Sequence, residues 1–228
     1  MCLLLLAVAS GAELDAQVAA EARNVLVVVD DLHLQFRNTP RVRELIKRIL
    51  PLSIRDTDRV GMVSTGSSAI NLPPTSRLDE AIKSLGRVTG HGLSPGAVLG
   101  AQQQPDVATE LRNRATVAFS LVANAIDTIA SSSPYPIAVL YFSDGYREGI
   151  TPEPRELIQS ALRGHAPIYT FDPRGLTGEP PNTVSKEEWE AYIRATQGSL
   201  RTLAIQTGGA LVLTIGELDS LLSRLAQK

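Results

Sequence analysis

The chain alternates short, uninterrupted apolar runs with longer segments of helical period, and this alternation constrains its fold more than any other feature. The apolar runs are Val25–Val29, Ile137–Phe142 and Ile168–Phe171. Segments with apolar residues at helical spacing lie between them. Strands that are buried on both faces have this continuous apolar pattern, and helices join them in α/β proteins. The sequence therefore predicts an α/β fold with a doubly wound, mostly parallel sheet flanked by helices.

Length and composition fit one large domain. At about 150 residues per domain, a chain of 228 residues holds one domain and a short appendage. We expect residues 24–228 to form the domain and residues 1–23 to be a leader or appendage. The 22 basic and 24 acidic residues leave a net charge of −2, which gives no basic surplus for nucleic-acid binding. A lone cysteine, Cys2, excludes a disulfide scaffold.

The N-terminus carries an apolar run, Leu3–Ala12, that ends in small residues. A membrane span needs about 20 apolar residues, so this run predicts that the chain is not an integral membrane protein. A signal peptide is one interpretation, although a basic stretch before the run is missing. It would place the domain outside the cytoplasm. A truncated terminus is the alternative, so the compartment is left open.

Carboxylates follow two of the predicted strands. Asp30 and Asp31 end the first strand, and Asp144 ends a later one. In a doubly wound sheet, ligands bind at the carboxyl ends of the strands, where these side chains can lie close together. Clustered carboxylates and hydroxyls suit Mg²⁺ or Mn²⁺. The alternative is that these aspartates simply end strands in a solvated loop.

The segment between Gly86 and Asp106 has little apolar period and is rich in glycine and glutamine. We predict a loop there, followed by a helix over Thr109–Ala130. Long loops inside compact domains are often functional, so this one is expected to shape binding specificity.

Four segments together resemble a von Willebrand factor type A domain, and more narrowly the bacterial type A-related domains. They are Val25–Asp30, Tyr141–Gly145, Ile168–Gly175 and Leu203–Gly209. The resemblance covers residues 24–227. It implies a Rossmann-like fold with a metal-ion-dependent adhesion site, in which a divalent cation bridges the domain to an acidic group on a protein partner. It implies no enzymatic activity.

The family's site has the pattern Asp-x-Ser-x-Ser after the first strand, a middle Thr, and an Asp at a later strand end. By this resemblance Asp30 and Asp144 would bind the cation, with Thr116 as the hydroxyl ligand and Thr109 as its fallback. Asp31 would be a substitute or supporting ligand.

The two serine positions of the family pattern hold Leu32 and Leu34, which offer no oxygen. A register shifted by one would present Asp31, His33 and Gln35 instead. The implied metal site is therefore degenerate. The expected function is a protein-binding module, with the oligomeric state left open.

A phosphotransfer or hydrolase domain that depends on Mg²⁺ is the alternative function. Response-regulator receivers also begin with a strand followed by an acidic pair. They need an acceptor aspartate after a later strand, whereas the second strand here ends in Ser64-Thr65-Gly66. No nucleophile or base for a hydrolase stands out in the sequence.

Overall fold

A computed structural model describes residues 22–177 and 184–227. Its described strands form one sheet of six, in the order β3-β2-β1-β4-β5-β6. All neighbours are parallel except β2 and β3, which are antiparallel. The strands are β1 (Asn24–Val29), β2 (Arg59–Ser64), β3 (Asn71–Thr75), β4 (Ile137–Phe142), β5 (Ile168–Phe171) and β6 (Leu211–Val212).

Helices connect the strands. They are α1 (Thr39–Ser53), α2 (Leu78–Ser84), α3 (Pro95–Gly100), α4 (Pro105–Ser132), α5 (Arg155–Arg163), α6 (Pro173–Thr177), α7 (Lys186–Gln206) and α8 (Ile215–Gln227). Short 3₁₀ turns lie at Phe36–Asn38, Leu85–Arg87 and Ala101–Gln103. The predicted α/β fold with a mostly parallel sheet flanked by helices is confirmed.

The sheet is covered on both faces, as the continuous apolar strands require. Alternate residues of β1 point to opposite sides, because side chains in a strand alternate. Val25, Val27 and Val29 pack with α1 and α8, whereas Leu26 and Val28 pack with α4 and α5. All six residues of β1 and of β4 are buried, so these two strands form the centre of the fold.

The segment predicted as a loop between Gly86 and Asp106 contains ordered helical turns. The hydroxyl of Ser94 accepts a hydrogen bond from the amide of Ala97 at 3.3 Å and caps α3. Helix α4 then begins at Pro105, earlier than the predicted Thr109, and extends to Ser132. A serine followed by proline is a recognised helix start, and this local signal could have located α3.

The two edges of the sheet differ from the central strands. β3 runs from Asn71 to Thr75 and includes Pro73 and Pro74. Proline is tolerated there because an edge strand has backbone groups that need no sheet partner. β6, at the other edge, has only two residues.

The predicted leader, residues 1–23, lies outside the described residues except for Ala22 and Arg23. Arg23 is buried beside the start of β2, where its Nε donates to Asp58 Oδ2 at 2.9 Å. Its Nη2 donates to the carbonyl oxygen of Ser53 at 2.6 Å. These bonds fix the point at which the chain enters the sheet.

Candidate functional site

The carboxyl ends of β1, β4 and β5 bring buried aspartates to one edge of the sheet. Asp30, Asp144 and Asp172 follow these strands, and all three are fully buried. Asp31 is equally buried beside Asp30. The sequence thus correctly placed Asp30, Asp31 and Asp144 at this edge, which we call the carboxyl edge.

Asp30 is surrounded by hydrogen-bond donors. Its Oδ2 accepts from the hydroxyls of Ser143 and Tyr146, each at 2.7 Å. Its Oδ1 accepts from Thr65 at 2.8 Å and lies 3.0 Å from Nδ1 of His33. Burial raises the pKa of Asp30, but the electrostatic attraction of His33 and the hydrogen bonds outweigh it, so that the pKa lies below its ordinary value. Asp30 is therefore a satisfied, ionised carboxylate.

Asp31 binds the loop that follows β2. Its Oδ1 accepts from the amide of Gly66 at 2.5 Å, and its Oδ2 accepts from the amide of Ser68 at 2.8 Å. The hydroxyl of Thr65 also lies 3.2 Å from Oδ1. The side chain joins two loops of the carboxyl edge through backbone donors.

Asp144 holds the loop between β1 and α1. Its Oδ2 accepts from the amide of Gln35 at 3.1 Å and from the side-chain amide of Asn38 at 3.2 Å. Burial raises the pKa of Asp144 to about 6, with Arg174 opposing and Asp172 reinforcing that rise. The group changes charge near neutral pH, and its ionised form is the less favoured one inside this site.

Thr116 does not join these aspartates. It is exposed on α4, and its hydroxyl donates to the carbonyl oxygen of Arg112 at 2.9 Å, within its own helix. The threonine that contacts Asp30 is Thr65, directly after β2. A signal for it exists in the sequence, because parallel strands end at the same edge and β2 precedes Thr65. The fallback, Thr109, also bonds within α4, to the carbonyl oxygen of Pro105 at 2.8 Å.

The arrangement does not fit a shared cation. Leu34 is fully buried in the core, while Asp30, Asp31 and Asp144 accept hydrogen bonds from protein groups. Within residues 22–177 and 184–227, no group of three His, Cys, Asp or Glu side chains is placed to hold a metal ion. The alternative ligands of the shifted register are also engaged by the protein. His33 turns toward Asp30, and Gln35 donates from Nε2 to the carbonyl oxygen of Leu93 at 3.4 Å.

An ion pair at this edge was missed by the sequence argument. Arg174 is fully enclosed and bonds Asp172 through Nε at 2.8 Å and Nη2 at 2.7 Å. Its Nη1 donates to the hydroxyl of Thr196 at 2.9 Å, and Gln197 donates to Asp172 at 3.0 Å. Thr196 and Gln197 come from α7, so their part depends on long-range packing that no local pattern encodes.

The loop held by Asp144 presents an aromatic side chain to solvent. Phe36 is 72% exposed, between Gln35 and the neighbouring Arg37. The guanidinium of Arg37 lies 4.7 Å from the ring centre of Trp189, a cation–π distance, and bonds Gln35 at 2.9 Å. An open groove of about 490 Å³ beside it is lined by Phe36, Arg37 and Ser94 among others.

Comparisons with known proteins give little further guidance. No family model and no curated protein matches the chain. A solved structure from Vibrio fischeri, described as that of an uncharacterized membrane-spanning protein, is similar at 20% identity and a TM-score of 0.29. The match covers 91% of this chain and 98% of that chain. A TM-score this low does not allow the two folds to be equated.

The prediction that the chain is not an integral membrane protein is withdrawn, because one of the described helices is long and apolar enough to cross a membrane. It rested on the short N-terminal run and did not consider residues 105–132. By length and composition α4 could cross a membrane, although 39% of its apolar stretch is buried within the domain. Core helices of soluble proteins pass the same test, so α4 is weak evidence for a span.

Proposed function

We propose that this chain is a protein-interaction module of the von Willebrand factor type A kind, which binds its partner through the carboxyl edge without using a cation. The observation that carries the proposal is the exposed ring of Phe36, which lies on a loop that Asp144 holds in place through hydrogen bonds. Aromatic side chains that are exposed yet rigidly held are common anchors of protein interfaces.

Rigidity of the loop supports this interpretation. Gln35 and Asn38 flank Phe36 and both donate to Asp144, while Arg37 stacks over Trp189. A side chain ordered before binding loses less entropy when a partner covers it. The loop therefore has the properties of a prepared contact surface.

The hydrogen bonding of the aspartates favours the form without metal. In the family, a cation joins the site to an acidic group of the partner. Here the donors that satisfy Asp30 and Asp31 come from the chain itself, including Thr65, His33 and Ser143. The aspartates then serve to fix the loops, and the loops provide the contacts.

A photo-crosslinking residue at position 36 tests the proposal in extract of the native host. Position 205 gives a matched control, because Ile205 is 68% exposed but lies on α7, outside the groove. We expect a defined protein adduct at 36 that excess unlabelled wild type suppresses and that excess Phe36→Ser does not. Equal adducts at 36 and 205, or adducts that both competitors suppress equally, would contradict an interface at Phe36.

A further inference from the structure

A small closed cavity lies where the two halves of the sheet meet. β1 is beside β4, with β2 and β3 on one side and β5 and β6 on the other. In doubly wound sheets this is the place where ligands bind, outside the carboxyl ends of the strands. The cavity, of about 10 Å³, is lined there by His33, which follows β1, and by Gly145 and Arg147, which follow β4.

Two buried polar atoms belong to residues that line this cavity and have no hydrogen-bond partner in the structure. They are Nε2 of His33 and Nε of Arg147. His33 is 6% exposed, and Asp30 holds its other ring nitrogen at 3.0 Å, so the unpaired edge is the one that carries Nε2. Buried polar groups in folded proteins are nearly always paired. The two atoms therefore point to a polar ligand.

Two arginine side chains line the cavity, and one of them is without a carboxylate partner among the described residues. In the part of the chain that the structure describes, Arg147 pairs with no carboxylate, and its Nη1 donates to the carbonyl oxygen of Glu148 at 3.3 Å. Arg114 also lines the cavity, but its Nε pairs with Oε1 of Glu110 at 2.6 Å, and its Nη1 donates to the carbonyl oxygens of Leu32 at 3.0 Å and His91 at 2.6 Å. Apolar neighbours such as Leu111 exclude water, which strengthens electrostatic attraction inside the site.

We propose that this cavity binds one small anion, either a halide or an oxyanion that places a single oxygen inside. Its volume is about that of one water-sized probe, so a polyatomic anion can place no more than one of its atoms inside. Arg147 donates from Nε and supplies the positive charge, since Arg114 is already paired with Glu110. His33 pairs through Nε2, as acceptor from a hydroxyl of the anion or as donor to a halide. The site requires neither a metal nor a protein partner.

Thermal unfolding of the whole chain tests the proposal with bromide and inorganic phosphate as probes, each compared with Arg147→Gln at the same ionic strength. At a hundredfold excess over Kd, an anion bound only by the folded state should raise Tm by about 5–10 °C. A rise with bromide alone assigns a halide, and a rise with phosphate assigns an oxyanion. Crystals soaked in bromide should show an anomalous peak between His33 and Arg147.

Arg147→Gln removes the positive charge and Nε, and it should weaken the binding of the anion by on the order of tenfold or more. Arg155→Gln is the matched control, because Arg155 has an 80% exposed side chain outside the cavity and should keep the wild-type response. If Arg147→Gln does not fold, Arg147→Lys keeps the charge and loses Nε. A wild-type response in the position-147 variants, or no response and no peak in the wild type, would overturn the proposal and leave a water site.

Discussion

Asp30 keeps its charge in the interior because hydroxyl groups replace the water that it loses on folding. Three hydroxyls donate to it: that of Thr65, which follows β2, and those of Ser143 and Tyr146, which both follow β4. Removing one of these donors should destabilise the fold, because the buried charge of Asp30 then keeps fewer hydrogen bonds.

Thr65→Val should therefore destabilise the fold by about 1.5–3 kcal/mol, the contribution of a hydrogen bond to a charged group. Thr116→Val is its control, since Thr116 is exposed and bonds only within α4, and we expect a change within about 0.5 kcal/mol. Urea unfolding of both variants measures the difference. Equal losses would show that Thr65 does not support Asp30.

The raised pKa of Asp144 makes the free energy of unfolding depend on pH. Its pKa of about 6 in the folded state exceeds the ordinary 3.8, so the folded protein holds an extra proton between these values. The free energy of unfolding therefore falls as pH rises through this window, by about 3 kcal/mol for this group. Asp144→Asn, which keeps an acceptor oxygen and stays neutral, should lose this fall.

Denaturant titrations of wild type and Asp144→Asn from about pH 4 to pH 7 measure this effect. The free energy of unfolding of Asp144→Asn, relative to that of the wild type, should increase as pH rises. Parallel pH profiles would indicate that Asp144 does not titrate in this range when folded.

At the scale of elements, the segment from Gly90 to Gly92 packs directly on the loop between β1 and α1. A side-chain carbon at Gly90 would overlap the carbonyl oxygen of Leu34, and one at Gly92 would overlap that of His33. The amide of Gly92 also donates to the oxygen of Leu34 at 2.8 Å. The two loops therefore form one unit at the carboxyl edge.

Gly90→Ala should destabilise the protein by about 2 kcal/mol or more, because backbone must move to admit the methyl group. Gly86→Ala offers a neighbouring control, since nothing lies within 4 Å of its added carbon. We expect that variant to be neutral or slightly more stable. Thermal unfolding compares them, and equal Tm values would contradict the close packing of the loops.

The sequence predicted features that depend on local patterns better than features that depend on long-range contacts. β1 and β4 were predicted because burial on both faces produces apolar runs that can be recognised locally. The cap of α7 is equally local: the hydroxyl of Ser185 accepts from the amide of Glu188 at 3.1 Å. The bonds of Thr65 and Ser143 to Asp30, and that of Arg174 to Thr196, were not predicted, because they depend on long-range packing between elements.

At the scale of the whole molecule, the carboxyl edge is held together by groups of the chain itself. We expect Mg²⁺ or Mn²⁺ at millimolar concentration to leave Tm unchanged relative to EDTA, because coordination would first have to displace the donors on Asp30 and Asp31. Differential scanning fluorimetry of wild type and Asp144→Asn tests this. A rise in Tm with wild type alone would restore the adhesion-site hypothesis for Asp144.

The proline pair in β3 and the brevity of β6 have a consequence for aggregation. Pro73 and Pro74 lack the N–H groups that an incoming strand would need, and β6 offers only two residues for pairing. Exposed sheet edges are the usual starting points for runaway strand addition between molecules, and proline and short strands block it. Both edge strands are therefore poor templates for pairing with a strand of a second copy, which disfavours aggregation through the sheet at high concentration.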